Sequence, residues 1–209
     1  MIIIFDKCLY PFLDLKNKDY NLDKYMPEIN INFLNSLKEN FRDYSCFIET
    51  GTSYGITIFG VEPFFDKLHT IEISEKYYQM TRSRYRGNKI NFILGDSSDV
   101  FKNLLPTIND KSIFFLDGHY SSGDTGRGIK DVPLIEEIIH INNLYKNEGL
   151  LIIDDVRLFG KIDTEDWSCI NEETILEILK DRIEDVYHLD SPLAKNDRLI
   201  IKISNIIKK

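Results

Sequence analysis

Cys46-Phe47-Ile48-Glu49-Thr50-Gly51-Thr52-Ser53-Tyr54-Gly55 is the stretch that decides the fold of this chain. Its apolar start predicts a short buried strand, and the residues after the strand predict a tight turn. Glycine has no Cβ, so the backbone at Gly51 and Gly55 can turn sharply and approach a ligand closely. Ligands of open α/β sheets bind at the carboxyl ends of strands. We therefore predict a ligand site at this turn.

Short apolar runs alternate with helical patterns over the rest of the chain. The predicted strands cover residues 46–48, 68–71, 90–94, 113–116, 150–153, 186–189 and 199–203. The predicted helices cover residues 31–41, 56–65, 74–85, about 100–105, 133–144 and 172–179. This alternation predicts an α/β fold, a Rossmann-like seven-stranded and mostly parallel sheet with helices on both faces. The turn-rich residues 191–197 separate the last two strands and predict a C-terminal antiparallel hairpin.

Length and composition limit the classes of protein to consider. The 209 residues suit a single globular domain, in which residues 1–44 form an N-terminal arm and helix and residues 45–209 form the main domain. The net charge of −8 argues against nucleic acid as the partner. No run approaches the ~20 apolar residues that span a bilayer, and the three cysteines lack zinc-site spacing. We expect a cytoplasmic protein.

Two further strand ends carry residues suited to a nucleoside. Glu72 follows the second strand about twenty residues after the glycine turn, and a carboxylate can accept hydrogen bonds from both hydroxyls of a ribose. Gly95, Asp96 and Ser97 follow the third strand. The residues alone also allow a second interpretation, in which Glu72 is a surface acid and Asp96 or Ser97 only caps a helix.

The acidic-x-Gly-x-x-x-Gly pattern from Glu49 to Gly55, followed by these strand ends, resembles class I S-adenosylmethionine-dependent methyltransferases over residues 45–203. The resemblance implies that S-adenosylmethionine is the cofactor and that Asp96 accepts from the adenine amino group. The cofactor-binding residues it implies are Glu49, Thr50, Gly51, Thr52, Ser53, Gly55, Glu72, Ile73, Asp96, Ser97 and Asp117.

Three aspartates follow the fourth and fifth predicted strands. They are Asp117, Asp154 and Asp155, and their carboxylates would repel one another unless a cation lay between them. Mg²⁺ prefers oxygen ligands of this kind, although the pair 154–155 alone also suits an ordinary strand-to-loop transition. The arrangement resembles that of the catechol-type, divalent-cation-dependent O-methyltransferases. This resemblance implies that the three aspartates hold Mg²⁺ or Mn²⁺, which binds two neighbouring hydroxyls of the acceptor.

The segment after Asp117, from Gly118 to Gly123, resembles that of macrocin-type sugar O-methyltransferases. His119 suits a general base because its ordinary pKa is near ~6.5, and we predict that His119 and Asp117 are catalytic. Catechol-type enzymes have a lysine close behind the aspartate, whereas this chain has Tyr120, so the identity of the base stays open. The predicted substrate contacts are Tyr120, Asp124, Arg127 and Trp167, although Trp167 could instead anchor its loop.

The sequence therefore predicts a metal-assisted O-methyltransferase that acts on a hydroxyl of a sugar or glycan. The acceptor is a small molecule or glycan with vicinal hydroxyls, and the oligomeric state is left open. A catechol-like phenol is the alternative acceptor, and an RNA 2′-hydroxyl is less favoured by the acidic charge. A methyltransferase-like binding module without activity is a further alternative. A nucleotide-dependent oxidoreductase is disfavoured because Gly-x-Gly-x-x-Gly is absent from the turn.

Overall fold

Seven strands form one sheet in the computed structural model, which describes residues 29–121 and 125–206. The strands are β1 (Cys46–Thr50), β2 (Lys67–Glu72), β3 (Ile90–Leu94), β4 (Ser112–Leu116), β5 (Gly149–Ile153), β6 (Ile183–Leu189) and β7 (Arg198–Ile203). Their order is β3-β2-β1-β4-β5-β7-β6, and β7 runs antiparallel to both of its neighbours. The predicted sheet and its C-terminal antiparallel hairpin are confirmed.

Six α-helices connect these strands or precede them in the described residues. They are α1 (Ile31–Ser36), α2 (Ile56–Val61), α3 (Glu75–Arg84), α4 (Ser97–Leu104), α5 (Leu134–Leu144) and α6 (Glu172–Leu179). None of the helices in this part of the chain is long and apolar enough to cross a membrane. Of the predicted N-terminal arm, residues 1–28 lie outside the described residues.

Two predicted helices are shorter than the sequence indicates. The helix predicted over residues 31–41 ends at Ser36, because Leu37 adopts extended backbone and the amide of Lys38 donates to Tyr187 Oη at 3.1 Å. The helix predicted over residues 56–65 ends at Val61 and continues as a 3-10 turn that contains Pro63. In both places a tertiary contact or a proline ends a pattern that periodicity alone would extend.

The core has two layers, one on each face of the sheet. Ile113 and Phe115 of β4 face the layer that contains α1, α2 and part of α3. Phe114 and Leu116 face the opposite layer, which contains α4, α5 and α6. All residues of β1, β4 and β5 are buried, as expected of parallel strands covered on both sides.

The strand register places the ligand-bearing strand ends side by side. Thr50 pairs with Leu116, and Leu116 pairs with Ile153, so the residues that follow β1, β4 and β5 leave the sheet at one edge. The turn between β6 and β7 lies at the same edge because β7 is antiparallel to β5 and to β6. The side chains that the sequence predicts to be functional therefore lie together at this edge.

Candidate functional site

A cavity of about 220 Å³ opens at the carboxyl ends of β1 to β4. The sheet edge forms one side of it, and residues from the ranges 119–121 and 125–131, which follow β4, form the other. Seven of the predicted cofactor-binding residues line it: Gly51, Ser53, Glu72, Ile73, Asp96, Ser97 and Asp117. Glu49, Thr50, Thr52 and Gly55 are not among the described lining residues, and the cofactor contact predicted for these four stays a prediction.

The two glycines of the β1 turn are required by the backbone. Gly51 has φ +83°, and a Cβ there would lie 2.6 Å from the carbonyl oxygen of Asp117. Gly55 has φ +76° at the start of α2, where a Cβ would lie 2.7 Å from the ring of Phe59. Glycine is therefore needed for the turn to pass close to the end of β4.

Buried polar side chains of β1, β2 and the turn form hydrogen bonds that support the turn. Glu49 is buried and accepts a hydrogen bond from Thr70 Oγ1 at 2.5 Å. The hydroxyls of Thr52 and Thr70 also lie 2.5 Å apart. Burial raises the pKa of Glu49 well above its ordinary value, although the hydrogen bond from Thr70 opposes this. These residues position the turn.

Glu72 is fixed at the end of β2 by two backbone amides. Ser53 N donates to its Oε2 at 2.7 Å, and Ser74 N donates to its Oε1 at 2.8 Å. The side chain is buried, which excludes the surface-acid interpretation, and burial raises its pKa while these amides lower it. Each carboxylate oxygen can accept a second hydrogen bond from a ligand hydroxyl.

Asp96 and Ser97 begin α4, as the capping interpretation predicts. Asp96 Oδ1 accepts from Ser98 N at 2.9 Å, and its Oδ2 faces Gly128, where a Cβ would lie 2.5 Å away. Ser97 Oγ donates to Glu137 Oε1 beneath the cavity. Sequence reasoning missed Glu137, whose signal is an acid on the apolar face of α5.

The segment after β4 folds over the Ile73 side of the cavity. Tyr120 N donates to Asp131 O at 2.8 Å, and Arg127 makes two hydrogen bonds to the Asp131 carboxylate at 2.6 and 3.1 Å. A Cβ at Gly126 would overlap the side chain of Ile73. Tyr120 therefore lines the cavity, whereas Arg127 is exposed and already paired. The predicted substrate residue Asp124 lies outside the described residues.

His119 lies at the centre of a group of carboxylates. Its Nε2 is 2.9 Å from Asp155 Oδ2 and 3.5 Å from Asp117 Oδ1. Its Nδ1 is 3.3 Å from Glu165 Oε2. Sequence reasoning missed Glu165, which lies in the segment after β5. We name Asp117, His119 and Asp155 the acid–histidine cluster.

The charges of this cluster keep the imidazole protonated. Burial alone lowers the pKa of His119, but hydrogen bonds and charge from Asp117 and Asp155 outweigh it and raise the pKa to about 11. Burial raises the pKa of Asp155, but His119 and Arg157 hold it below its usual range. Asp155 adopts φ +63°, a conformation uncommon outside glycine that concentrates at functional sites. Asp117 and Asp155 therefore lie around one positive charge, the protonated imidazole of His119.

Asp154 does not join this cluster. Its Oδ1 and Oδ2 each lie 3.3 Å from a guanidinium nitrogen of Arg198, and both side chains are buried. Burial raises the pKa of Asp154 to about 7, and the charge of Asp117 adds to the effect. Asp117 and Asp155 therefore share His119 while Asp154 is paired with Arg198, and the three-aspartate metal set stays a prediction.

A second acidic group lies beside the first. Oxygens of Asp154, Asp155 and Asp197 lie within 4.8 Å of one another. Arg157 Nη1 contacts Asp155 and lies 2.6 Å from Asp197 Oδ2, and Arg198 contacts Asp154, so each of these carboxylates has an arginine partner.

Trp167 is buried against the ring of His119. It is only 4% exposed, and its ring lies 5.1 Å from that of His119 and 6.0 Å from that of Phe159. Its indole N–H donates to Glu165 Oε2 at 2.9 Å. These contacts favour the alternative in which Trp167 anchors its segment, and the substrate contact stays a prediction.

Comparisons with known proteins give structural matches. No protein-family model matches the chain, and no curated protein matches its sequence. The O-methyltransferase TomG from Streptomyces achromogenes, solved with S-adenosylmethionine, matches at a TM-score of 0.56 with 14% identity, over 79% of this chain and 75% of TomG. The N-methyltransferase NodS from Bradyrhizobium japonicum WM9, solved with S-adenosylhomocysteine, matches at 0.51 with 16% identity, over 78% and 79% of the two chains.

These likenesses are structural, and they include enzymes that methylate oxygen and enzymes that methylate nitrogen. The chain has the Rossmann-like fold of class I S-adenosylmethionine-dependent methyltransferases, as the resemblance in its sequence predicts.

Proposed function

We propose that this protein is an S-adenosylmethionine-dependent methyltransferase that transfers the methyl group to a hydroxyl oxygen of a sugar or glycan. The observation that carries the proposal is one cavity that joins two sets of side chains. Glu72 and Gly51 lie on its cofactor side, and Asp117 and His119 of the acid–histidine cluster open into it. A methyl donor and a methyl acceptor bound in this cavity would both lie at the carboxyl ends of the strands.

The residues fit the cofactor at several points. The carboxylate of Glu72 is oriented by Ser53 N and Ser74 N and can accept two ribose hydroxyls. Ile73 offers an apolar surface for the adenine, and Asp96 offers an acceptor for its amino group. S-adenosylmethionine supplies an electrophilic methyl group on a sulfonium. The chain supplies the orientation of donor and acceptor, from which much of the rate would come.

The acid–histidine cluster also fits a divalent cation. Asp117, His119 and Asp155 present two carboxylates and an imidazole nitrogen within 4.8 Å, whereas Asp154 is engaged by Arg198. We propose that these three residues hold Mn²⁺ or Mg²⁺, and an imidazole ligand favours Mn²⁺ because Mg²⁺ prefers oxygen. Such an ion would lower the pKa of an acceptor hydroxyl bound to it.

The proton of the acceptor also needs a destination. The new C–O bond forms as the methyl group leaves sulfur, and the hydroxyl proton is released. Asp117 lines the cavity and offers a carboxylate oxygen to that proton, and His119, which would release its own proton on binding the cation, lies 3.5 Å from Asp117. Glu165 fixes the His119 ring from its Nδ1 side. We therefore keep Asp117 and His119 as the proposed catalytic residues.

A polar acceptor suits the mouth of the cavity. Tyr120, Ser121, Lys130 and Asp131 line it beside the acid–histidine cluster. Hydroxyl, ammonium and carboxylate groups can form hydrogen bonds with a polyol. A flat phenol would bind better in a cavity lined by apolar side chains. These residues support a sugar or glycan with vicinal hydroxyls as the acceptor.

Calorimetric titration with S-adenosylmethionine tests the cofactor, and a screen of sugars, glycans and catechols that measures S-adenosylhomocysteine tests the reaction. We expect cofactor binding and Mn²⁺-stimulated turnover on a sugar. Glu72→Ala should lose cofactor binding, whereas the control Glu75→Ala changes an exposed acid on α3 and should bind normally. Failure of the wild type to bind would refute the proposal. Turnover only on catechols would favour the phenol alternative, and binding without turnover would favour an inactive module.

A further inference from the structure

Glu137 lies beneath the proposed cofactor cavity and contacts the turns that shape it. We propose that Glu137 is a positioning residue that holds these turns in the conformation that binds the cofactor. The inference rests on the proposed function, since it concerns the same cavity. Glu137 is in the first turn of α5 and is only 1% exposed.

The first connection is to the turn after β3. Ser97 Oγ donates a hydrogen bond to Glu137 Oε1. Ser97 lines the cavity and directly follows Asp96. The carboxylate of Glu137 therefore fixes the side chain of Ser97 at the start of α4.

The second connection runs through β1 to the turn after β4. The hydroxyl of Thr50 interacts with the Glu137 carboxyl and lowers its pKa, and Thr50 Oγ1 accepts from Asp117 N at 3.3 Å. A hydroxyl has one proton to donate and lone pairs to accept, so we infer that Thr50 donates to Glu137 while it accepts from Asp117. Gly118 lies against both side chains, since a Cβ there would be 3.3 Å from Glu137 Oε1 and 2.9 Å from Thr50 Oγ1.

The position of Glu137 does not suit a residue selected for core stability. Leu134, Ile138 and Ile141 form the buried face of α5, and Glu137 lies on that same face. The charged groups that act on it are the acids Asp96 and Asp117, which disfavour a carboxylate. A leucine would fill the face without burying a charged group, which is costly without an ionic partner. The contacts of Glu137 with the cavity turns therefore account for its position better than packing does.

The effect of Glu137 on the cofactor is indirect. It is outside the described lining of the 220 Å³ cavity and acts through Ser97 and through the backbone of Asp117. Glu137→Ala should leave both hydroxyls without their acceptor and weaken S-adenosylmethionine binding by about 10- to 100-fold. Glu137→Gln keeps an acceptor oxygen for both hydroxyls and should bind within about threefold of the wild type.

A control at the residue after α5 separates positioning from general loss of stability. The hydroxyl of Tyr145, which follows α5, lies 2.8 Å from Asp110 O and 2.7 Å from Glu148 O at the opposite edge of the sheet. Tyr145→Phe removes a buried hydrogen bond far from the cavity. It should lower the unfolding temperature and leave cofactor affinity unchanged.

The experiment is calorimetric titration with S-adenosylmethionine, run well below each variant's unfolding temperature as measured by circular dichroism. Loss of affinity in Glu137→Ala, recovery in Glu137→Gln and normal affinity in Tyr145→Phe would support the proposal. Equal loss in Glu137→Ala and Tyr145→Phe, or normal affinity in Glu137→Ala, would overturn it. A wild type that does not bind overturns this inference together with the proposed function, whereas a binding wild type with unaffected variants overturns this inference alone.

Thr50→Val provides the test if Glu137→Ala fails to fold. It removes the hydroxyl that joins Glu137 to Asp117 N, and Thr50 is outside the described cavity lining. We expect a loss of affinity similar to that of Glu137→Ala. Affinity equal to that of the wild type would refute the connection.

Discussion

His119 Nε2 lies 2.9 Å from Asp155 Oδ2 and 3.5 Å from Asp117 Oδ1, so one imidazole joins the end of β5 to the end of β4. All three residues are at least partly buried. A buried carboxylate that loses its cationic partner retains its desolvation cost without compensation. Removal of His119 would therefore affect both the stability of the protein and the proposed metal site.

His119→Gln should destabilise the protein by about 2–4 kcal/mol, because Asp117 and Asp155 lose their shared cation. His188→Gln is the matched control, since His188 Nε2 pairs with Glu172 at 3.1 Å in a more exposed position. Exposed pairs contribute about 0–1 kcal/mol. Urea unfolding in metal-free buffer measures both variants, and equal losses of stability would contradict the role assigned to the cluster.

Asp155→Asn should weaken Mn²⁺ binding by at least about tenfold because it removes a proposed ligand. Asp154→Asn should retain Mn²⁺ binding, since Asp154 is paired with Arg198, but should destabilise the protein by leaving that arginine without its full partner. Electron spin-echo spectroscopy of bound Mn²⁺ should show nitrogen coupling that is lost in His119→Gln. Nitrogen coupling absent from the wild type, with Mn²⁺ binding lost in Asp154→Asn, would favour the three-aspartate set instead.

Gly51→Ala should abolish measurable S-adenosylmethionine binding, because the new Cβ would lie 2.6 Å from Asp117 O and push the turn away from β4. Gly160→Ala is a matched control with φ +73° and no atom within 4 Å of the new Cβ. Both variants have the strain of a positive φ, which is about 1 kcal/mol. Calorimetry should find normal affinity in Gly160→Ala, and equal losses of affinity would show that backbone strain alone explains the effect.

The pH dependence of stability should report the buried carboxyl of Glu137. Burial raises its pKa to about 7, although hydrogen bonds from Ser97 and Thr50 oppose this and the charges of Asp96 and Asp117 add to it. A raised carboxyl pKa means that the folded state holds the proton more tightly than the unfolded state. Its contribution is fully present below the unfolded pKa, near ~4.5, and is lost as pH rises through about 7.

Glu137→Gln cannot titrate, so its stability relative to the wild type should improve as pH rises from 5 to 8. The change should be on the order of 2–3 kcal/mol, from the size of the pKa shift. Urea unfolding of both proteins at several pH values measures it. A difference in unfolding free energy that stays constant over this range would show that Glu137 titrates normally.

The sequence predicted the glycine turn after the first strand and the acid at the end of the second strand where the structure has them. The turn from Gly51 to Ser53 and the strand end at Glu72 could be placed because apolar runs and glycines act locally. The helix over residues 31–41 was predicted too long, since its end depends on a hydrogen bond between Lys38 and Tyr187, 149 residues apart. Periodicity carries no information about such a partner.

The sequence by itself determined the order of strands and helices, the acids at the strand ends and the glycines that the turns require, because each depends on neighbouring residues. Only the tertiary structure decided which charges meet. Arg198 reaches Asp154 from 44 residues away, Glu165 reaches His119, and Glu137 lies under Ser97 from 40 residues away. Electrostatic and hydrogen-bond energies depend on distance in space, so strand register and loop packing, rather than spacing along the chain, assign these partners.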